Sequence, residues 1–344
     1  MMPDITPSSQ SPSSQSPAQS STQSPLPSET ERLADRIVDM IRTQTSKPAI
    51  ELHVEAADGT AIEGQRLRDC GMDALAVPDL LDTKYGGPFL LPDDYELPVN
   101  PGNGVPMVLL AQWNFERLPR LEGFPQNGLL QCFVDATDDD PDQDFTQTTD
   151  DGNDSTDGND DSENDKAWES WKIRYIPANL LSTDAPHAAQ VITPHWQLRH
   201  GCVKPTQVPF DDENMQFKLH GELTTSPMGV TDYRYEDLLE SCLDQLDDGD
   251  RELFDDEYAD MENLLFQRIS GDGHRLGGYP LFTQDDPRTY MDEDDAADLV
   301  MVAQINSIEF KMMFGDNGIG HIFIPSAALH DTDFSQAFYQ WDCY

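Results

Sequence analysis

The feature that most constrains how this chain folds is that it resembles itself. The segment Met107-Val108-Leu109-Leu110-Ala111-Gln112-Trp113-Asn114 aligns without a gap with Leu299-Val300-Met301-Val302-Ala303-Gln304-Ile305-Asn306. Four positions are identical and the other four are apolar in both copies. Upstream, Lys84-Tyr85-Gly86-Gly87-Pro88 is matched by Arg275-Leu276-Gly277-Gly278-Tyr279-Pro280. Downstream, Asn127-Gly128-Leu129 and Phe133-Val134 are matched by Asn317-Gly318-Ile319 and Phe323-Ile324. From the first glycine to the glutamine is 26 residues in one copy and 27 in the other. Three blocks in one order at nearly one spacing describe a repeated unit, about 84–134 and 275–324.

Each unit reads as a turn, a loop, a buried strand, a tight turn and a second strand. Runs ending at Ala111 and Ala303 are apolar on both faces, as covered central strands are. Asn-Gly pairs mark the entry to the next strand. Two copies are too few for a solenoid or propeller. The spacing therefore predicts an α+β fold of two pseudo-symmetric β-rich half-domains sharing one core, with flanking helices. Gly86, Gly87, Gly277 and Gly278 are expected to be structural, supplying positive φ or close backbone approach. Gln112 and Gln304 are expected to be structural too, since an amide satisfies both a free N–H and a free C=O at the end of a buried strand.

The rest of the chain divides by composition. Residues 1–27 are rich in Ser, Gln and Pro, with Ser-Ser-Gln-Ser-Pro occurring at Ser8 and again at Ser13. Such a tail buries too little to offset its ordering entropy and is expected to be disordered. From residue 28 to 344 the chain is expected to form a single domain. Ser28-Glu29-Thr30-Glu31 has the form of a capping box, and Leu33, Ile37, Met40 and Ile41 then recur at helical spacing. This predicts a helix to about Thr45, followed by a strand over Ala49–Val54. Residues 135–165 carry 14 acidic residues and no Lys or Arg, and are expected to be a disordered insertion. A calcium loop framed on Asn153, Ser155, Asp157 and Gly158 fails, because Asn164 falls where the bidentate Glu belongs. From Tyr235 to Gln267, apolar residues punctuate acids at a spacing that predicts two amphipathic helices broken near Asp248-Gly249.

Charge narrows the partners. The chain has 21 Lys and Arg against 65 Asp and Glu, a formal net charge of −44. That field repels nucleic acid and anionic lipid and attracts basic protein surfaces. No apolar run approaches a membrane span, and no signal peptide is legible at the N-terminus. The five cysteines are scattered and form no C-x-x-C pair, which argues against a disulfide framework and a zinc site. A soluble cytoplasmic protein is expected, with no nucleic acid, no membrane, no cofactor and no metal. The oligomeric state is not legible.

The same repeated blocks resemble the YwqG-like family of bacterial proteins. Met107–Asn114 is similar to its "LLAQIN" strand, and Phe124–Gln131 to its "FPxxGILQ" segment. Gly273–Arg288 is similar to its "GHKxGGYPxFTQxDPR" signature, and Phe314–Ile319 to "WGDxGV" with Phe in place of Trp. Asp333-Phe334-Ser335 through Trp341-Asp342-Cys343 resembles its terminal "DFS…WDC". The resemblance implies an α+β fold. It brings no established activity, cofactor or substrate.

The densest polar cluster in an ordered region is His274, Arg275, Gln284, Asp285, Asp286 and Arg288. One reading makes Arg275 and Arg288 forked donors to an anion or peptide; the other makes the cluster a set of caps and ion pairs that tie down a Gly-Pro loop. Lys84 and Arg275 occupy matching places before their glycine pairs, which suggests a shared anion site or the same salt bridge used twice. The candidate binding residues are thus Lys84, His274, Arg275, Gln284, Asp285 and Arg288. G-x-S-x-G, Walker and H-E-x-x-H motifs are absent, and His195 and His200 are spaced poorly for one helical face. The expectation is a non-catalytic binding protein with a basic protein partner. A hydrolase or transferase, or a small-molecule or peptide carrier, working in a cleft between the half-domains is the alternative.

Overall fold

The computed structural model describes residues 27–137, 170–181, 190–192 and 207–344. In chain order its first half comprises α1 (Glu29–Thr45), β1 (Lys47–Val54), α2 (Gly64–Asp69), β2 (Lys84–Gly86), β3 (Phe89–Leu91), β4 (Val108–Asn114), β5 (Leu129–Val134), β6 (Trp171–Ile176) and β7 (Gln190–Ile192). The second comprises β8 (Gln216–Ser226), α3 (Tyr235–Leu243), α4 (Asp248–Asp256), α5 (Tyr258–Ile269), β9 (His274–Gly277), α6 (Glu293–Asp298), β10 (Leu299–Asn306), β11 (Ile319–Pro325), α7 (Ser326–His330) and β12 (Phe338–Asp342). The Ser/Gln/Pro tail, most of the acidic insertion with its rejected calcium loop, and Cys202, His195 and His200 lie outside the described residues. Asp135, the first residue of the expected insertion, is buried instead, where Asn100 Nδ2 and Thr137 Oγ1 donate to its carboxylate.

The fold is mixed α/β. One ten-stranded antiparallel sheet runs β12-β11-β10-β9-β1-β8-β2-β4-β5-β6. It curls until its two edges nearly meet, so that Tyr175 on β6 stacks on Phe334 near β12 with ring centroids 5.7 Å apart. The main core fills its interior with Tyr85, Trp113, Phe217, Leu276, Ile305 and Ile322. Curling removes most of the edge that an open sheet of this width would expose. Strands β3 and β7 form a separate two-stranded sheet.

The repeated blocks occupy corresponding registers. Lys84 lies opposite Gln112 and Tyr85 opposite Ala111; Arg275 lies opposite Gln304 and Leu276 opposite Ala303. The hairpin β4–β5 shifts register between Leu109 and Ala111, and β10–β11 shifts between Met301 and Ala303. Between the two sets sit β1 and β8, which pair with each other. β1 also pairs with β9, and β8 with β2, so each set is extended by a strand from the far part of the chain. Leu52-His53-Val54-Glu55 and Leu219-His220-Gly221-Glu222 run past each other there, with His53 opposite His220. Their ring centroids are 5.4 Å apart.

Helices form the second layer. The capping box of α1 is made in both directions: Glu31 N–H donates to Ser28 Oγ (3.1 Å) and Ser28 N–H to Glu31 Oε2 (2.6 Å). The helix ends at Ser46, short of Pro48, whose ring and missing N–H do not allow a further turn. Its stripe is Leu33, Ala34, Ile37, Val38 and Ile41, with Met40 at the margin. Each large member contributes about 2 kcal/mol of burial, and Cys242, Phe254, Met261, Leu265 and Ile269 supply the facing surface.

The acidic stretch forms three helices rather than the expected two, because α4 ends at Asp256 and α5 begins at Tyr258. Phe254, Met261 and Leu265 keep helical spacing across that break, so apolar pattern does not mark it. Glu252, Asp256 and Asp260 would repel at i,i+4 in a continuous helix.

Candidate functional site

A polar recess of about 400 Å³ opens beside the sheet centre, between β1, α2, the start of β9 and the turn after β10. Glu51 and His53 come from β1, Glu63 and Arg68 from α2 and its N-cap, Asp272 and His274 from the entry to β9, and Asn306, Ser307 and Glu309 from the end of β10. His53 Nδ1 is hydrogen-bonded to Glu63 Oε1, which fixes the ring and leaves Nε2 as its other polar atom. His274 Nδ1 accepts the Asn306 N–H at 3.1 Å, so its proton resides on Nε2. Burial, with His53 and Arg275 nearby, pulls the His274 pKa down to about 4, and the ring is neutral at physiological pH. Arg68 Nη1 donates to Glu309 Oε2 at 2.5 Å, tying α2 to the turn after β10. Asn306 Nδ2 holds Asp272 Oδ1 at 2.6 Å. Ser307 is committed as a turn anchor, donating to Gly318 O (2.7 Å) and accepting the Phe314 N–H (3.1 Å).

The matching place beside β2 is filled differently. There Arg117 Nη1 bridges Asp79 Oδ2 (2.9 Å) and Asp82 Oδ1 (2.5 Å), while Lys218 Nζ reaches Glu55 Oε1 (3.0 Å) and Asp82 Oδ2 (3.9 Å). Counting back from the paired Lys84 and Arg275, Asp82 corresponds to Gly273 and Thr83 to His274. Counting on from Asn114 and Asn306, Arg117 corresponds to Glu309. One side is therefore crossed by a chain of ion pairs, next to a mostly apolar recess of about 500 Å³ lined by Asp79, Lys84 and Arg117. The other has a glycine and a neutral imidazole at those positions, and its recess is lined mainly by carboxylates.

The residues singled out from sequence do not assemble into one site. Lys84 and Arg275 lie on strands separated by β8 and β1, three spacings or roughly 14 Å along the sheet. No single small anion spans that gap. Each instead anchors the loop before its own strand or its glycine pair. Lys84 Nζ donates to Asp79 O (3.1 Å) and Pro88 O (2.5 Å). Burial, partly offset by Asp79 and Asp82, lowers its pKa to about 8. Arg275 donates to Asp272 O (2.7 Å) and Ser226 Oγ (3.3 Å), and burial holds its pKa below the usual value.

Arg288 is not available as a forked donor to a ligand. Its Nε donates to Asp286 Oδ1 (2.9 Å), and its Nη2 to Asp286 Oδ2 (2.6 Å) and Asp232 Oδ2 (2.9 Å). The guanidinium is 5% exposed and both carboxylates are buried deeper still. Gln284 donates to Cys343 O at 2.6 Å, and Asp285 is exposed and accepts from Tyr290 Oη at 3.0 Å. Of the six, His274 reaches this recess, and Lys84 lines the one beside Asp79 and Arg117.

Gln112 and Gln304 are wholly buried. Gln112 Nε2 donates to Leu80 O (3.0 Å) and Asp82 O (2.9 Å); Gln304 Nε2 donates to Gly271 O (3.0 Å) and Gly273 O (2.7 Å). All four glycines of the two pairs have φ between 64° and 78°. His53, Glu63 and Arg68 escaped sequence reasoning because they come from segments outside the recognised blocks. The signal that would have found His53 is the shared Leu-His-x-Glu of β1 and β8.

Among the described residues, no group of three or more His, Cys, Asp or Glu side chains is arranged to hold a metal ion. No described helix is long and apolar enough to cross a membrane. The family model described as Domain of unknown function (DUF1963) matches residues 83–343, beginning inside the sheet at the residue before β2. A search among curated proteins gives no match.

Proposed function

The chain belongs to the family of the domain of unknown function DUF1963; from that premise we propose that it is a non-catalytic binding protein, and that the recess beside β1 and β9 receives a cationic group of a basic protein partner. The observation that carries this is the lining itself, in which Glu51, Glu63, Asp272 and Glu309 stand against the single guanidinium of Arg68. A lysine or arginine side chain entering there meets carboxylates and the neutral imidazole of His274, while the net charge of −44 steers basic partners from a distance.

The two strand sets are, on this reading, duplicated half-domains. Their pseudo-two-fold passes between His53 and His220, and β1 and β8 are exchanged across it. Matched registers, the repeated Leu-His-x-Glu and the equivalent Gln112 and Gln304 support the duplication. The ligand site then arose by divergence, one copy placing Arg117 and Lys218 among its carboxylates and the other leaving its carboxylates in excess. Cys70, Cys132, Cys242 and Cys343 are free thiols, which supports a reducing, cytoplasmic address.

The test is calorimetric titration with an arginine-rich peptide. We expect an affinity that falls steeply with added salt and that Glu63→Gln weakens about tenfold, the worth of one charge-assisted hydrogen bond. Affinity indifferent to both salt and Glu63→Gln would sink the reading. The oriented His53–Glu63 pair favours one alternative, a hydrolase in which His53 activates water. Hydrolytic turnover of ester or amide substrates that vanishes in His53→Gln would select it. The commitment of Ser307 to the turn, which leaves the recess without a free hydroxyl nucleophile, weighs against a covalent mechanism.

A further inference from the structure

Away from the recess, three cations gather around two buried carboxylates. Lys47 opens β1, Arg234 caps α3 and Arg288 lies in the 3₁₀ turn Pro287–Tyr290. The carboxylates among them are Asp232 and Asp286, with side chains 0% and 1% exposed. Both are already saturated. Asp232 accepts from Arg234 Nε and Nη2, each at 2.9 Å, as well as from Arg288. Asp286 accepts from the Arg288 fork and from the Tyr233 N–H at 3.1 Å. Three positive charges against two negative ones leave a local surplus of one.

That surplus sits at the surface. Lys47 is exposed as a residue, but its Nζ packs over the Tyr279 ring, 4.3 Å from the centroid, and no carboxylate among the described residues pairs with it. The Arg234 guanidinium lies 5.6 Å from the same ring and its side chain is 36% exposed. With Nε and Nη2 given to Asp232, Arg234 keeps Nη1 uncommitted. Burial first, and then the Arg234 charge, hold the Lys47 pKa below its usual value, with only Asp232 acting the other way. An ammonium held beside guanidinium groups with too few anions is an electrostatic arrangement completed by an added anion. The net charge of the whole chain does not cancel it, because at physiological ionic strength charges farther than about 8 Å are largely screened.

We propose that Lys47 Nζ and Arg234 Nη1, both held over the Tyr279 ring, form a binding site for the oxyanion group of a small molecule, a phosphate or a carboxylate. The site is separate from the recess and has the opposite preference. Its two cations both precede the second repeated block, which is why the sequence cluster built on Arg275 and Arg288 pointed near it without containing it. In the site Arg288 is a positioning residue: it holds Asp232, which in turn aims Arg234.

The experiment is a titration of ¹⁵N-labelled full chain with inorganic phosphate, and in a second arm with acetate, each at constant ionic strength against sodium chloride. Saturable shifts at Lys47, Arg234 and Tyr279 are expected, with Lys47→Gln weakening the response about tenfold through loss of one charge-assisted hydrogen bond. Lys47→Gln removes an exposed cation that no carboxylate pairs with, so the variant is expected to fold, and its dispersed spectrum checks this. A response to phosphate alone supports the site and narrows its ligand; a response to both arms supports it for oxyanions in general. No saturable shift in either arm, or an unchanged response in Lys47→Gln, overturns the proposal.

Discussion

At the scale of single residues, the side chains that looked most chemical in the sequence are largely those that hold the structure together. Arg288 is the clearest instance. Its guanidinium sits between two buried carboxylates and over Tyr233, 4.9 Å from the ring centroid. Burial alone would lower its pKa, and the bonds from Asp286 together with the charges of Asp232 and Asp286 more than reverse that. Arg288→Ala would leave Asp286 without its forked partner and Asp232 with Arg234 alone, and breaking a buried pair this way costs about 3–5 kcal/mol. Urea denaturation of the variant should register a loss of that size; a loss under about 1 kcal/mol would mean that water or Arg234 replaces the lost donors. The sequence marked Arg288 as important but could not tell ligand from scaffold. Charge in a sequence reads as exposure, and only the packing of Asp232, 56 residues away, decides otherwise.

Among elements, turns and registers were more legible than neighbours. The glycine pairs, the two hairpins and the capped start of α1 were each written in a local pattern, and local sterics decide such features. Gly86 illustrates the constraint, with φ at +64° and a Cβ that would lie 2.4 Å from Met215 O. Gly104 has a similar φ of +70° but open space around it. Gly104→Ala should therefore cost only the backbone strain of about 1 kcal/mol, whereas Gly86→Ala must also displace Met215, which leads into β8. Thermal melts of the two variants compare the terms directly, and equal shifts would show that Met215 yields easily.

What the sequence did not reveal is the pairing of β1 with β8 and β9. Antiparallel partners more than 160 residues apart leave only a four-residue echo, Leu-His-x-Glu, in the chain. The recess was hidden for the same reason, since β1, α2, β9 and the turn after β10 are brought together only by that pairing. The break between α4 and α5 was missed because the apolar spacing runs through it.

For the molecule as a whole, buried imidazoles set how stability responds to acid. His321 is fully buried, and burial drives its pKa down to about 3 despite the favourable bond to Leu281 O. His274 is lowered to about 4. An unfolded histidine titrates near 6.5, so below that pH the unfolded chain takes up protons that the native one refuses. Stability is thus fully present above about pH 6.5 and falls as pH drops toward 4. The slope is about 1.4 kcal/mol per pH unit from His321 alone, with a smaller addition from partly exposed His274. Asp342 acts in the opposite sense, because burial raises its pKa and its protonated form is favoured in the native state. The variant His321→Gln isolates the effect: it places the residue found at the corresponding Gln131 and removes the titration. Denaturation curves across this range should lose about one proton of pH dependence, and an unchanged slope would show that His321 is not buried neutral.

The central claim, that the recess and not the acidic surface at large receives a basic partner, is tested most directly by mapping. Amide spectra recorded while the arginine-rich peptide is added should change at His53 and Glu63, at Gly273 and His274, and at Asn306 through Glu309, saturating together. Changes confined to the acidic helices α3 to α5, with the recess amides unmoved, would contradict the account.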